Sequence, residues 1–254
     1  MSDRRAAIAE RLWRAAREGV LVAAPSAQFP DLSVDEAYAI QGELLDRMKR
    51  GGQQPAGWKV GMTAAIGRAA DAPGPISGEL LSGMLVADGE AVRAAELHEP
   101  EVEGEIAFVL DRPLRGPGVT VQDVLAATRG VLPAIEIIAG RLEAPDPTVA
   151  DCIADNAFSA RAVLGDRLVP VDGLDLRLIG MAHYRGDALV GAGAGARVLG
   201  HPAASVAWLA NARGEVPAGV PVLSGSLAPP VPAHAGDSFR VELDRLGSVS
   251  VAFA

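Results

Sequence analysis

The chain has 254 residues, 49% hydrophobic and 22% charged, a balance that excludes disorder as its main state. Lys and Arg total 23 against 32 Asp and Glu, for a formal net charge of −9, and aromatics are only 4%. Phosphate backbones, anionic membranes and stacked single-stranded bases are therefore poor partners, and the single cysteine, Cys152, excludes an internal disulfide or a thiolate-rich metal site.

The first segment, Asp3–Gly19, carries Ile8, Leu12 and Trp13 with Ala6, Ala9 and Ala16 at helical spacing. It is charged and amphipathic, without an apolar signal core, and no run approaches membrane-spanning length, so a cytoplasmic protein is expected. Ser33-x-x-Glu36 reads as a capping box that opens a second helix, with Ala37, Ile40, Leu44, Leu45 and Met48 as its apolar stripe. Gly51-Gly52 stops it, and residues 1–55 are read as a helical N-terminal region.

Residues 56–254 are read as a β-rich core. Short strand-like runs are separated by Gly and Pro: Trp58–Gly61, Glu103–Leu110, Ala134–Ile138, Ala160–Leu164, Leu176–Ile179, Ala188–Val190, Val222–Gly225, Phe239–Leu243 and Val249–Phe253. Helical stretches are expected at Thr120–Arg129, Val149–Asn156 and Pro202–Ala212. Strands and helices do not alternate regularly, which disfavours a doubly wound parallel sheet. Gly191–Gly195 reads as a flexible turn and fits no nucleotide fingerprint.

Two carboxylates stand out. Glu103 and Glu105 are two apart in a strand and share a face, and both faces of the strand become apolar beyond Glu105. Like charges there repel, and burial raises their pKa values. A divalent cation with hard oxygen ligands would resolve both problems. On the E-x-E spacing alone, an exposed acidic rim is the better reading, and Glu101, beside Pro100, is read as solvent-side. A third acid, Glu136, interrupts the apolar run Val131–Ile138. Either a salt bridge to Arg141 or Arg129, or a metal, would offset its burial. Three glutamates leave open positions on an octahedral ion, which suits chelation by a 2-oxo acid.

The segments Gly57–Thr63 (GWKVGMT), Glu103–Leu110 (EGEIAFVL), Pro133–Glu136 (PAIE), Ala154–Ala157 (ADNA) and Leu223–Leu227 (LSGSL) occur in an order and spacing that resemble one family. It is the 2-keto-4-pentenoate hydratase and 4-oxalocrotonate decarboxylase group, within the fumarylacetoacetate hydrolase superfamily. The resemblance implies an α+β fold: a mixed β-roll core with a smaller helical N-terminal part. It also implies one Mg²⁺ or Mn²⁺ per subunit, a small-molecule 2-oxo acid substrate and a homo-oligomer. By motif match Glu103, Glu105 and Glu136 are metal ligands and Lys59 is the active-site lysine. Gly225 and Ser226 belong to a loop closing over the substrate, and Asp155 and Asn156 to the pocket wall. One departure concerns hydration: relatives carry Pro-Asp-x-Gly where this chain has Pro75-Ile76-Ser77-Gly78, and Glu79 is out of register.

Lys59 lies between Trp58 and Val60, where burial and a nearby cation would lower its pKa. Without the motif, a lysine snorkelling from a strand edge is the simpler reading. His98, His183, His201 and His234 show no ligand spacing, Cys152 has no paired base, and Ser224 and Ser226 lack a triad context. The expected activity is a metal-dependent lyase on a 2-oxo acid or its enol, hydratase-like. The alternatives are a 4-oxalocrotonate decarboxylase-like enzyme, an acylpyruvate C–C hydrolase, for which no His–Glu pair is visible, and a non-catalytic companion subunit.

Overall fold

A computed structural model describes residues 2–64 and 74–254. Helices α1 (Ser2–Glu18) and α2 (Val34–Arg50) pack through Ile8, Ala9 and Leu12 against Ala37, Ile40 and Leu44. The same cluster includes Ile76 and Ile153, so the helical region is fused to the core rather than tethered beside it. Ser33 caps α2 by accepting from the Glu36 N–H at 3.2 Å. The reciprocal half of the expected capping box is absent, because Arg4 draws the Glu36 carboxylate away at 2.9 Å to join the two helices.

The core follows as β1 (Pro55–Gly61), β2 (Ile76–Leu81), β3 (Glu101–Leu110), α3 (Val121–Ala127), β4 (Thr128–Ile138), α4 (Val149–Ala154), β5 (Ser159–Leu164), β6 (Gly180–Arg185), β7 (Ala188–Ala194), α5 (Pro202–Arg213), β8 (Pro221–Ser226), β9 (Ser238–Leu243) and β10 (Gly247–Phe253). One mixed, curled sheet of eight strands runs β2-β1-β8-β3-β4-β5, then the short Leu85–Val86, with Val231–Pro232 pairing onto β3. A second sheet of five strands runs β7-β6-β9-β10 and ends in Ala91–Val92. The main core contains Ile106 and Phe108 of β3, Ile135 and Ile137 of β4, and Met181, Phe239, Val241 and Val251 of the second sheet. This is the expected α+β architecture, a β-roll core with a smaller helical part.

Local departures have local causes. Leu176–Ile179 is a turn, not a strand, because Asp175 accepts from the Arg177 N–H at 3.1 Å and its carbonyl accepts from Leu178 at 2.9 Å. The helix expected to reach Arg129 ends at Ala127, and the chain passes directly into β4. Gly191–Gly195 is not a flexible turn: Gly191–Ala194 are paired with β6, and a Cβ on Gly193 would collide with the Leu227 carbonyl. A capping box between Thr148 and Asp151, overlooked in the sequence, opens α4. Ile76–Leu81, also overlooked, is a fully buried strand.

Candidate metal centre

Strands β3 and β4 pair antiparallel, which sets Glu103 directly opposite Glu136. Glu105, two residues on, shares the face of Glu103. Each of the three offers a carboxylate oxygen within 4.8 Å of the other two. Glu105 and Glu136 are fully buried and Glu103 is half-buried. Like charges placed opposite one another in a sheet are destabilising, so the fold must supply compensation.

Part of it comes from neighbouring strands. Lys59 of β1 brings its Nζ within 3.1 Å of Glu136 Oε1. Ser159, at the start of β5, donates its hydroxyl to that oxygen at 3.0 Å. The Gly225 N–H of β8 donates to Glu105 Oε2 at 2.6 Å. Gly225 can do so only as glycine: its φ is +111°, and a Cβ would collide with the Thr63 side chain. Glu136 is therefore not paired with Arg141 or Arg129, the candidates for the salt-bridge alternative. Arg141 is engaged with Asp155.

The compensation is incomplete. Among the described residues, Glu105 Oε1 and Glu136 Oε2 are buried without a hydrogen-bond partner. Three carboxylates face one ammonium, an excess of two negative charges. Orphaned hard oxygens and that excess fit a divalent cation, and the three glutamates could hold one. Burial and the Glu136 charge push Glu103 up to about 7, against the pull of Lys59 and Arg197. Burial, Glu136 and Glu103 push Glu105 well above the carboxylate range, although the Gly225 N–H and Lys59 oppose this. The lowering expected for Lys59 supposes a nearby cation; the protein groups alone act the other way. Burial lowers its pKa, but the combined charge of the three glutamates outweighs burial and the net change is upward.

The cluster opens onto a cavity of about 340 Å³, lined by Lys59, Glu103, Ile76, Met62, Arg197 and Ser226 among others. This is at the small end for a ligand pocket and suits a metabolite. Ile76 and the Lys59 ammonium both border Gly61: a Cβ on that glycine would lie 3.5 Å from Ile76 Cγ1 and 3.5 Å from Lys59 Nζ. Glu79 sits on the opposite face of β2 and pairs with Lys49 at 2.8 Å, so it cannot replace the missing acid. Ser226 donates its hydroxyl to the Ala228 carbonyl at 2.6 Å, shaping the loop over the cavity.

Asp155 and Asn156 are not in the cavity lining. Asp155 is fully buried and accepts from the Arg141 backbone N–H at 2.8 Å and its guanidinium at 2.5 Å. Asn156 bridges to the Glu79 backbone, accepting at 3.0 Å and donating at 2.9 Å. Both brace the wall from behind. His183 is also outside the lining, fully buried against Phe239. Cys152 does touch the cavity, yet burial pushes its thiol up to about 11, so it is no nucleophile. Sequence reasoning missed Ser159 and Arg197. Ser159 carries no periodic signal, whereas Arg197, a lone cation after a Gly/Ala run, was a visible anomaly.

The model of the fumarylacetoacetate (FAA) hydrolase C-terminal domain matches residues 79–253. The chain belongs to the fumarylacetoacetate hydrolase family. A 2-oxo-hept-4-ene-1,7-dioate hydratase of Escherichia coli is 38% identical to this family member over 257 residues, covering 97% of this chain and 96% of that protein. A 4-oxalocrotonate decarboxylase of Pseudomonas sp. strain CF600 is 40% identical over 230 residues, covering 89% and 87%. The solved 4-oxalocrotonate decarboxylase of Pseudomonas putida G7, complexed with magnesium and adipate, superposes with a TM-score of 0.95 at 35% identity, covering 100% of this chain and 98% of that one. The same enzyme has been solved with calcium and acetate. Hydratases and decarboxylases are both lyases, and this family member is an enzyme of that kind. A divalent metal accords with these relatives. No helix among the described residues is long and apolar enough to cross a membrane.

Proposed function

We propose that this chain is a divalent-cation-dependent lyase for a 2-oxo acid or its enol, hydratase-like, with Mg²⁺ or Mn²⁺ held by Glu103, Glu105 and Glu136. The supporting observation is the buried carboxylate cluster with two unpartnered oxygens and a single compensating lysine. When bound, the cation supplies Lewis-acid stabilisation of negative charge on the 2-oxo oxygen. Lys59, at the inner end of the cavity, moves a proton between the enol form and the adjacent carbon. Ser159 and the Gly225 N–H hold the glutamates in place as charge shifts. Gly225 and Ser226 carry the loop that covers the substrate.

Decarboxylation is the second reading, and Ile76 favours it. Among the described residues Glu103 is the one acid that lines the cavity, so none of them places a base for water beyond the proposed ligand set. The hydrolase reading has less support, because no histidine lines the cavity among the described residues. We also propose a homo-oligomer, for which the mean hydropathy of +0.21 is weak support. Sedimentation at 26.1 kDa at every concentration would overturn that assignment.

Deuterium exchange at C3 of 2-oxobutanoate tests the shared chemistry without assuming the second half-reaction. Exchange should require added Mg²⁺ or Mn²⁺ and should be lost in Lys59→Met. Equal exchange in chelator-treated parent, or in the variant, would overturn the reading.

A further inference from the structure

Arg197 closes a short turn, Gly195–Arg197, whose backbone is held on both sides. The Ala196 N–H donates to the Arg177 carbonyl at 2.8 Å, and the Leu199 N–H donates to the Thr63 carbonyl at 2.9 Å. Ala64 and Val198 form an antiparallel bridge. The segment is thereby fixed to the chain that leaves β1. Lys59 marks the inner end of this wall, beside the glutamates. Thr63 and Ala64, where Arg197 is anchored, are four and five residues farther along, which is at most about 13–17 Å of extended chain.

The Arg197 side chain is half-buried and lines the cavity together with Lys59, Glu103 and Ile76. It has no hydrogen bond or ion pair among the described residues. Other arginines near the core are engaged: Arg141 holds Asp155, Arg161 holds Glu96, and Arg213 donates to Gln41 and Ser77. A guanidinium presents a planar donor fork that matches a carboxylate in two parallel bonds. With a divalent cation bound, the three glutamates and Lys59 balance. The charge of Arg197, which lines the same cavity and is felt by Glu103, is then left without a counter-charge, while the C1 carboxylate and 2-oxo oxygen of a 2-oxo acid would be taken up by the cation.

We infer that Arg197 receives the distal carboxylate of a 2-oxo dicarboxylic acid whose C1 end lies at the glutamate cluster, so that the preferred substrates of this chain are diacids. This inference rests on the 2-oxo-acid reading above.

The test is calorimetric titration of the Mg²⁺-loaded protein with 2-oxoadipate and with 2-oxohexanoate, which has the same chain length but no distal carboxylate. The parent should bind 2-oxoadipate roughly 10- to 100-fold more tightly, the range for a hydrogen-bonded charge pair. Arg197→Met should abolish the preference while leaving 2-oxohexanoate affinity within about threefold, and Arg197→Lys should keep part of it. Retained 2-oxohexanoate binding shows that the variants are folded. Equal affinity of the parent for the two acids, or a preference that survives in Arg197→Met, would overturn the diacid assignment alone. Failure of the Mg²⁺-loaded parent to bind either acid would overturn the 2-oxo-acid reading and this inference with it.

Discussion

Replacing Ile76 by aspartate should convert a slow hydratase into a faster one. Ile76 is 6% exposed and lines the cavity beside the glutamate cluster. The new carboxyl carbon would stand near the present Cγ1, next to Gly61 and thus to the Lys59 ammonium. With a divalent cation and that ammonium together offsetting the three glutamates, the added group would be held ionised and act as a base at neutral pH. Base assistance is worth about 10²–10⁴-fold, or roughly 3–5 kcal/mol of barrier. The substitution also removes a buried aliphatic side chain, which costs on the order of 2–4 kcal/mol of stability, so Tm should fall while the rate rises. Ile76→Asn separates the two effects, because it has nearly the same shape as the aspartate but no base. The assay is loss of diene absorbance with 2-hydroxypenta-2,4-dienoate and with 2-oxohept-4-ene-1,7-dioate, in the presence of Mg²⁺. Rapid hydration by the parent, or an equal gain in Ile76→Asn, would refute the reasoning.

Two further outcomes follow from the packing. Gly225→Ala would drive a Cβ into Thr63 and displace the N–H that binds Glu105, so both Tm and Mg²⁺ affinity should drop; unchanged affinity in calorimetry would separate Gly225 from the cluster. Burial, with Arg185 nearby, lowers the His183 pKa to about 4, so the unfolded chain takes up a proton near 6.5 that the folded one refuses. Stability should therefore decline as pH falls from about 6.5 towards 4, by up to about 3 kcal/mol, and denaturant titrations of His183→Leu should show a flatter acid limb.

The sequence made the chemistry more legible than the topology. Glu103 and Glu105 were visible because strand parity puts them on one face, and Glu136 because a carboxylate inside an apolar run demands a partner. Which partner could not be read, since Lys59 and Ser159 reach Glu136 only through the pairing of β1 with β8 and of β4 with β5. The same limit explains Asp155 and Asn156. Motif order placed them at the site, but their hydrogen bonds turn them towards Arg141 and Glu79, behind the wall. Ile76–Leu81 was overlooked because a strand buried on both faces has no alternation to detect. Gly191–Gly195 was misread because glycine permits a turn and equally permits close approach to another backbone, and only the Leu227 contact decides between them.

The central claim is that the three glutamates bind one divalent cation, and Mg²⁺ titration calorimetry of the parent and of Glu136→Gln tests it most directly. The amide keeps the shape of the side chain and removes its charge, so circular dichroism should show an intact fold. The account predicts one ion per chain in the parent and a dissociation constant raised at least about tenfold in the variant, since even outer partners of a metal site are worth 10–100-fold. Equal Mg²⁺ affinity in the two folded proteins would contradict it.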